Sequence, residues 1–294
     1  MRGRHLVGAS LGLSAAAGLV WLGAAVAGDP TPAPPPAPPH PLTAAVAAGR
    51  HVRIDGPRGA IHAWIPAGYR AETAATVIYV HGYFDTADSA WTNHKLPEQF
   101  ALSALNAMFI VPEAPVAQKL PVNYPDLTDV IRRVEDEAGV VRGQATTIAL
   151  GHSGAYRTLE TWLDEPLLDQ LVLVDANYGE EEPLLGWVRS APQHRLIMVG
   201  EDTTLGTESL ARALPETVTL DRFPATFDLW PAEARAARLL YVRAQYGHMP
   251  LVTNGMVLPA LLRVLPVELL ADGPWREPLG ALPTDAGPGA DARR

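Results

Sequence analysis

Short runs without a single charge recur through the middle of this chain, and they recur in step with segments of helical character. Thr76 to Val80 reads TVIYV, Ala107 to Val111 AMFIV, Thr146 to Leu150 TTIAL, Leu171 to Val174 LVLV, Leu196 to Val199 LIMV and Leu239 to Val242 LLYV. A brief apolar run rich in β-branched residues, with no polar alternation, is the pattern of a strand buried on both faces. Between these runs lie helix-compatible stretches. Leu96 to Leu105 is one, and Asp126 to Glu137 is another, with Leu127, Val130, Ile131 and Val134 on a single face. Strands that lack a polar side and alternate with helices predict an α/β fold: a mostly parallel central sheet with helices on both faces. Ahead of them, His51 to Ile54 and Ala60 to Ile65 flank Gly56-Pro57-Arg58-Gly59, which predicts an N-terminal β-hairpin.

The ends of the chain have a different character. Residues 1–27 carry Arg2 and Arg4, then a Leu, Ala, Val and Gly run, then Ala25-Val26-Ala27. That is the layout of a signal peptide with a small-residue cleavage site, and the apolar stretch over residues 6–27 is also long enough to be an uncleaved membrane anchor. Either form predicts an exported protein, periplasmic or extracellular, whose contact with a membrane is limited to that segment. Residues 28–41 are a proline-rich linker expected to be extended polyproline II. Residues 42–271 form the body, and residues 272–294, rich in Gly, Pro, Ala and Asp, are expected to be a disordered tail. With a formal charge of −9 and no basic cluster past the first residues, a nucleic acid partner is not expected. The chain has no cysteine, which excludes disulfides, thiolate metal sites and a cysteine nucleophile.

Chemistry-bearing residues stand just beyond the strands. Gly151-His152-Ser153-Gly154-Ala155 follows TTIAL and leads directly into the helix-compatible run Ala155 to Leu163. A serine flanked by glycines at such a corner can take the strained backbone of a nucleophile elbow and lift its hydroxyl above the sheet edge. The fifth position is Ala where the elbow pattern has Gly, a small-for-small exchange. His81-Gly82-Tyr83-Phe84 follows TVIYV, Asp175 follows LVLV, Gly200-Glu201-Asp202 follows LIMV, and Gly247-His248 follows the last strand. Serine, carboxylate and histidine thus appear in that order along the chain.

With HGYF, GHSGA and YGHM in this succession, the chain resembles the α/β-hydrolase superfamily from His51 to about Leu270. The resemblance implies a serine hydrolase. Ser153 would be the nucleophile, His248 the base that takes its proton, and a carboxylate would hold the imidazole tautomer. The backbone N–H groups of Tyr83 and Gly154 match the superfamily's oxyanion donors. The acid has two candidates. Most of the superfamily carries it three residues beyond the glycine after the LIMV strand, where Asp202 is one residue early; a minority carries it at the position of Asp175. Asp175 is preferred, because no loop must shorten to bring it into place, and Asp202 stands as the alternative.

Other residues have plainer readings. His152 is expected to pack beside the turn, and His81 to order the oxyanion loop by hydrogen bonds. His51, His62, His94 and His194 lack metal-ligand spacing, so neither a metal nor another cofactor is expected. Trp91, Trp162, Trp187 and Trp230 either line an apolar acyl pocket or are ordinary core. Asp85 and Asp88 read as turn and cap residues. Glu180 to Glu182 would open a helix, Pro183 to Arg189, which would form at most a minimal cap. An open site of that kind favours small-molecule or polymer-attached esters as substrates. The function expected is therefore cleavage of a carboxylic ester through an acyl-enzyme. The alternatives are amide or peptide cleavage by the same residues, and a catalytically silent binding fold.

Overall fold

The computed structural model describes residues 41–179 and 181–270. The leader, the linker up to His40, Glu180 and the tail lie outside the described residues. In chain order the elements are α1 (Pro41–Ala48), β1 (Arg50–Ile54), β2 (Ile61–Ile65), β3 (Ala75–Val80), α2 (Ala87–Asn93), α3 (Leu96–Ser103), β4 (Ala107–Pro112), α4 (Leu127–Ala138), β5 (Thr147–His152) and α5 (Tyr156–Thr161). Then come β6 (Gln170–Val174), α6 (Glu181–Ser190), β7 (Arg195–Gly200), α7 (Thr204–Ala213), β8 (Val218–Leu220), α8 (Ala232–Ala236), β9 (Leu239–Arg243), α9 (Pro250–Thr253) and α10 (Val257–Val264). Pro41, read from sequence as the last linker residue, instead opens α1. Proline suits that place, since its fixed φ is helical and the first helical turn needs no N–H from it.

The strands form one nine-stranded sheet in the order β1-β2-β4-β3-β5-β6-β7-β9-β8. The hairpin strands β1 and β2 are antiparallel to each other, β2 is antiparallel to β4, and every other pairing is parallel. This is the α/β-hydrolase fold that the motifs anticipated. Along the central strands the apolar residues split by parity onto two faces. Ile148, Leu150, Val172, Val174, Ile197 and Val199 join one core cluster. Ala149, Leu171, Leu173, Leu196 and Met198 join the other. Covering both faces with helices is what makes these strands wholly apolar, because a side chain on either side meets core and not water.

Several elements had no clear sequence signal, among them β8, α2 and α7. β8 is a three-residue, half-exposed edge strand beside β9. Helix α2 begins at Thr86, whose side chain and Ser89 form a reciprocal capping box. Helix α7 follows the β7 loop. At the elbow the predicted helix from Ala155 is reached through a tight 3-10 turn over Ser153–Ala155, and the strand runs two residues further than expected, to His152. Helix α6 buries Leu184, Leu185, Trp187 and Val188 against the sheet. It therefore belongs to the helical layer and does not reach over the strand ends as a cap. Among the described residues no helix is long and apolar enough to cross a membrane.

Candidate active site

The parallel register aligns the carboxyl ends of β3, β5, β6, β7 and β9 on one edge: Val80 lies beside Gly151, His152 beside Val174, and Val174 beside Val199. Ser153 stands at that edge with φ +53°, a left-handed conformation that costs a serine of order 1 kcal/mol or more. Close approach of three glycines sustains it. A Cβ on Gly151 would lie 2.5 Å from Leu159 Cδ1 and 2.9 Å from Ala155 Cβ, so any side chain there would lever α5 off β5. A Cβ on Gly82 would meet Ser153 Cβ at 2.8 Å, and one on Gly154 would meet the Tyr83 ring at 2.6 Å. The HGYF loop and the serine turn are thus in direct contact, which the sequence motifs alone did not show.

Asp175 ends β6, also with positive φ (+50°), and is 0% exposed. Its carboxylate accepts hydrogen bonds from the amides of Glu201 (2.9 Å), Asp202 (3.1 Å) and Thr203 (2.9 Å), from Thr203 Oγ1 (2.7 Å), and from His248 Nδ1 (2.6 Å). Burial alone would push the carboxyl up. The hydrogen bonds from His248, from the Glu201 and Thr203 amides and from the Thr203 hydroxyl outweigh it and hold Asp175 well below the usual carboxylate range. Asp175 is therefore an anion at neutral pH. Its hydrogen bond raises the His248 pKa above the ordinary 6.5, against desolvation, which lowers it, with further electrostatic support from Asp175, Asp202 and Glu201. With Nδ1–H given to Asp175, the other ring nitrogen, Nε2, carries the lone pair of the neutral imidazole.

Asp202 occupies a different position. Its carboxylate oxygen lies 3.7 Å from His248 Nδ1 and its side chain is 62% exposed. Its amide serves Asp175 instead. Thr203 stands where the resemblance placed an acid, three residues beyond Gly200, and there it supplies both an N–H and an O–H to the acid on the neighbouring strand. Sequence reasoning missed Thr203, although its place in the loop was the available signal. Asp175, Asp202 and His248 each offer a ligand atom within 4.8 Å of the others, as a cation site would. Both Asp175 oxygens and His248 Nδ1, however, are already engaged in hydrogen bonds with one another or with the loop.

Two further histidines order the surroundings. His81 is fully buried; its Nδ1–H donates to Gly82 O (2.9 Å) and its Nε2 accepts the Ala114 amide (3.0 Å), which fixes the tautomer and ties the HGYF loop to the end of β4. His152 packs at 4.4 Å between ring centroids from His248, and its Nε2–H donates to the His248 carbonyl (3.2 Å). Burial and the neighbouring His248 depress its pKa to about 3, so it is a neutral support under the histidine loop. Asp85 pairs with His94 at 3.2 Å, and Asp88 with Arg53 (2.7 Å) and His62 (2.8 Å). The cap of α2 expected from these aspartates is Thr86.

Ser153, Gly154, Tyr83 and His248 line one cavity of about 700 Å³, with Phe84, Tyr178 and Met249 at its walls. Burial raises the Tyr178 pKa above the ordinary 10, and an interaction with the Ser153 side chain opposes it. None of Trp91, Trp162, Trp187 and Trp230 lines this cavity. Trp162, Trp187 and Trp230 are buried in the two core clusters, and Trp91 stacks on His51 and His62, 4.5 and 4.8 Å between ring centroids. Of the two readings open for the tryptophans, core and acyl pocket, the structure takes the core one.

Strand order and strand-end loops together define an α/β-hydrolase fold with a serine, an aspartate and a histidine on its carboxyl edge. No model of a known protein family matches the chain, and no curated protein matches its sequence. Solved structures similar to it were found. It is similar to a feruloyl esterase module from Clostridium thermocellum complexed with sinapinate, at 14% identity over 76% of this chain and 92% of that one, TM-score 0.48. It is similar to an esterase from Pyrobaculum calidifontis, at 14% identity over 76% and 85%, TM-score 0.45. A third is the S-formylglutathione hydrolase from Agrobacterium tumefaciens, at 11% identity over 73% and 94%, TM-score 0.44.

Proposed function

We propose that this protein is an exported serine hydrolase that cleaves carboxylic esters through an acyl-enzyme on Ser153. The observation that carries the reading is the buried, ionised Asp175 at 2.6 Å from the Nδ1 of His248, a histidine that lines the same cavity as a serine held in a strained turn. The strained serine costs the fold stability, and both features are what nucleophilic catalysis requires. The basic, apolar leader supports the export part of the reading.

The chemistry follows from the protonation states. Asp175 keeps the proton of His248 on Nδ1, leaving Nε2 to take the Ser153 proton as Oγ attacks the acyl carbon. The C=O pair moves onto oxygen, and the amides of Tyr83 and Gly154 receive the oxyanion; one such donor is worth about two to three orders of magnitude in rate. The intermediate collapses, the C–O bond to the alcohol breaks, and the imidazolium returns its proton to the leaving oxygen. Water, deprotonated by Nε2, then attacks the acyl-enzyme, and the same sequence releases the acid and restores Ser153.

A fluorophosphonate probe tests this directly. The wild-type chain should be labelled, and Ser153→Ala should not. A wild type that stays unlabelled would turn the reading toward a silent fold that only binds. Turnover of short acyl p-nitrophenyl esters but not of aminoacyl anilides is the expected substrate pattern; faster anilide cleavage would transfer the assignment to an amidase.

A further inference from the structure

The geometry points to a subsite for a planar aromatic group of the substrate at the mouth of the cavity, formed by Phe84, Tyr178 and Met249. The inference rests on the reading of Ser153 and His248 as ester-cleaving residues.

Three loops, from the ends of β3, β6 and β9, each place one large apolar side chain close in sequence to the proposed machinery. Phe84 follows Tyr83, Tyr178 lies three residues beyond Asp175, and Met249 follows His248. All three line the cavity that holds Ser153. They are 95%, 47% and 44% exposed. Apolar side chains turned to water around one cavity mark a contact surface for something that will cover them.

Phe84 makes the case strongest. Its φ is +69°, a conformation disfavoured for a bulky residue, and its ring packs on almost nothing in return. The backbone is held there by its own amide, which donates to Val116 O at 2.9 Å, and by the His81 network just before it. The fold thus keeps a strained turn that presents an aromatic face outward, the signature of a residue kept for what it contacts. Tyr178 is similarly supported. Its ring leans on Tyr156 at 5.6 Å and 41°, and the preceding carbonyl, Asn177 O, sits where a side chain on Gly206 would be only 2.9 Å away. Met249, in the same lining, adds an adjustable thioether.

Ring faces and a sulfur favour a flat π-system over a saturated ring of the same size, because offset stacking and sulfur–aromatic contact add to area burial. Among the described residues α6 turns its apolar side chains into the core and none of its residues lines the cavity, so the substrate's own aromatic group supplies the cover. That group sits on either the acid or the alcohol side of the ester, and two substrate pairs separate these sources.

The test measures kcat/KM of the full chain on methyl 3-phenylpropanoate against methyl 3-cyclohexylpropanoate, and on benzyl acetate against cyclohexylmethyl acetate. The phenyl member of one pair should exceed its cyclohexyl partner by about three- to tenfold, mostly through KM. In Phe84→Ala, and in Phe84→Leu as a variant that keeps apolar bulk without the ring, that ratio should fall to about one. Fluorophosphonate labelling of the same variants reports that they are folded with a reactive Ser153. Equal turnover within both pairs, or a phenyl preference that survives in both variants, overturns the subsite. Absent labelling and absent turnover of every ester in the wild type would instead overturn the hydrolase reading beneath it.

Discussion

The loop after β6 and the loop after β7 both carry an aspartate within reach of His248, and they present it in opposite ways. Asp175 is sealed from solvent and saturated with hydrogen bonds. Asp202 points outward, and its side chain is engaged with Glu201, whose carboxyl that contact pushes up. The β7 loop has in effect become a binding site for the β6 carboxylate: its consecutive amides, at Glu201, Asp202 and Thr203, all point at Asp175. What separates the two acids is the donor set around each one, since both lie within 4 Å of the imidazole. An anion orients a histidine well when it cannot itself turn, and only Asp175 is so held.

Substitutions can break or sharpen that contrast. Asp175→Asn should reduce the acylation rate by about three to four orders of magnitude, measured as the rate of fluorophosphonate labelling or ester turnover, because the amide selects the wrong tautomer. A loss smaller than that of Asp202→Asn would reverse the assignment. Thr203→Val removes the 2.7 Å hydroxyl donor while keeping the amide and the side-chain shape. It should lower kcat/KM about tenfold, the low end of what a hydrogen bond to a charged group contributes, with a drop in Tm. An unchanged rate would mean that the backbone amides suffice.

The smallest effect should come from Asp202→Asn, with kcat/KM at its pH optimum within about threefold of wild type, as for an exposed charge. Its signature is in the pH profile. The proposed mechanism needs neutral His248, so on that reading kcat/KM should rise with pH through the raised pKa of that residue, above the ordinary 6.5. Asp202 is among the charges that raise it. Removing the charge should move the acid limb to lower pH, and a limb that stays in place would show that the outer carboxylate is fully screened.

The sheet was legible because burial on both faces leaves a strong local mark: runs such as LVLV and LIMV have nowhere polar to point. β8 left no such mark, being three residues long at an edge and half in water. The elbow was legible because a φ of +53° at Ser153 needs small neighbours, and Gly151, Gly154 and Ala155 are written there. The choice between two acids was not. It depends on which loop folds its amides around which carboxylate, a relation between neighbouring strands that no local pattern encodes. The tryptophans were ambiguous for the converse reason, since a large ring satisfies the core and a pocket equally well until its depth is known. Phe84 and Tyr178, in loops, carry no periodicity by which their exposure could be foreseen.

Thr203 gives this architecture an unexpected kind of latitude. Because adjacent parallel strands finish level with each other, an acid on one and a donor on the next can exchange places while the imidazole stays where it is. A chain built this way could relocate a reactive carboxylate from one segment to another through intermediates in which both are present, and Asp202, unburied and a short step from the ring, stands where such an intermediate would keep its spare.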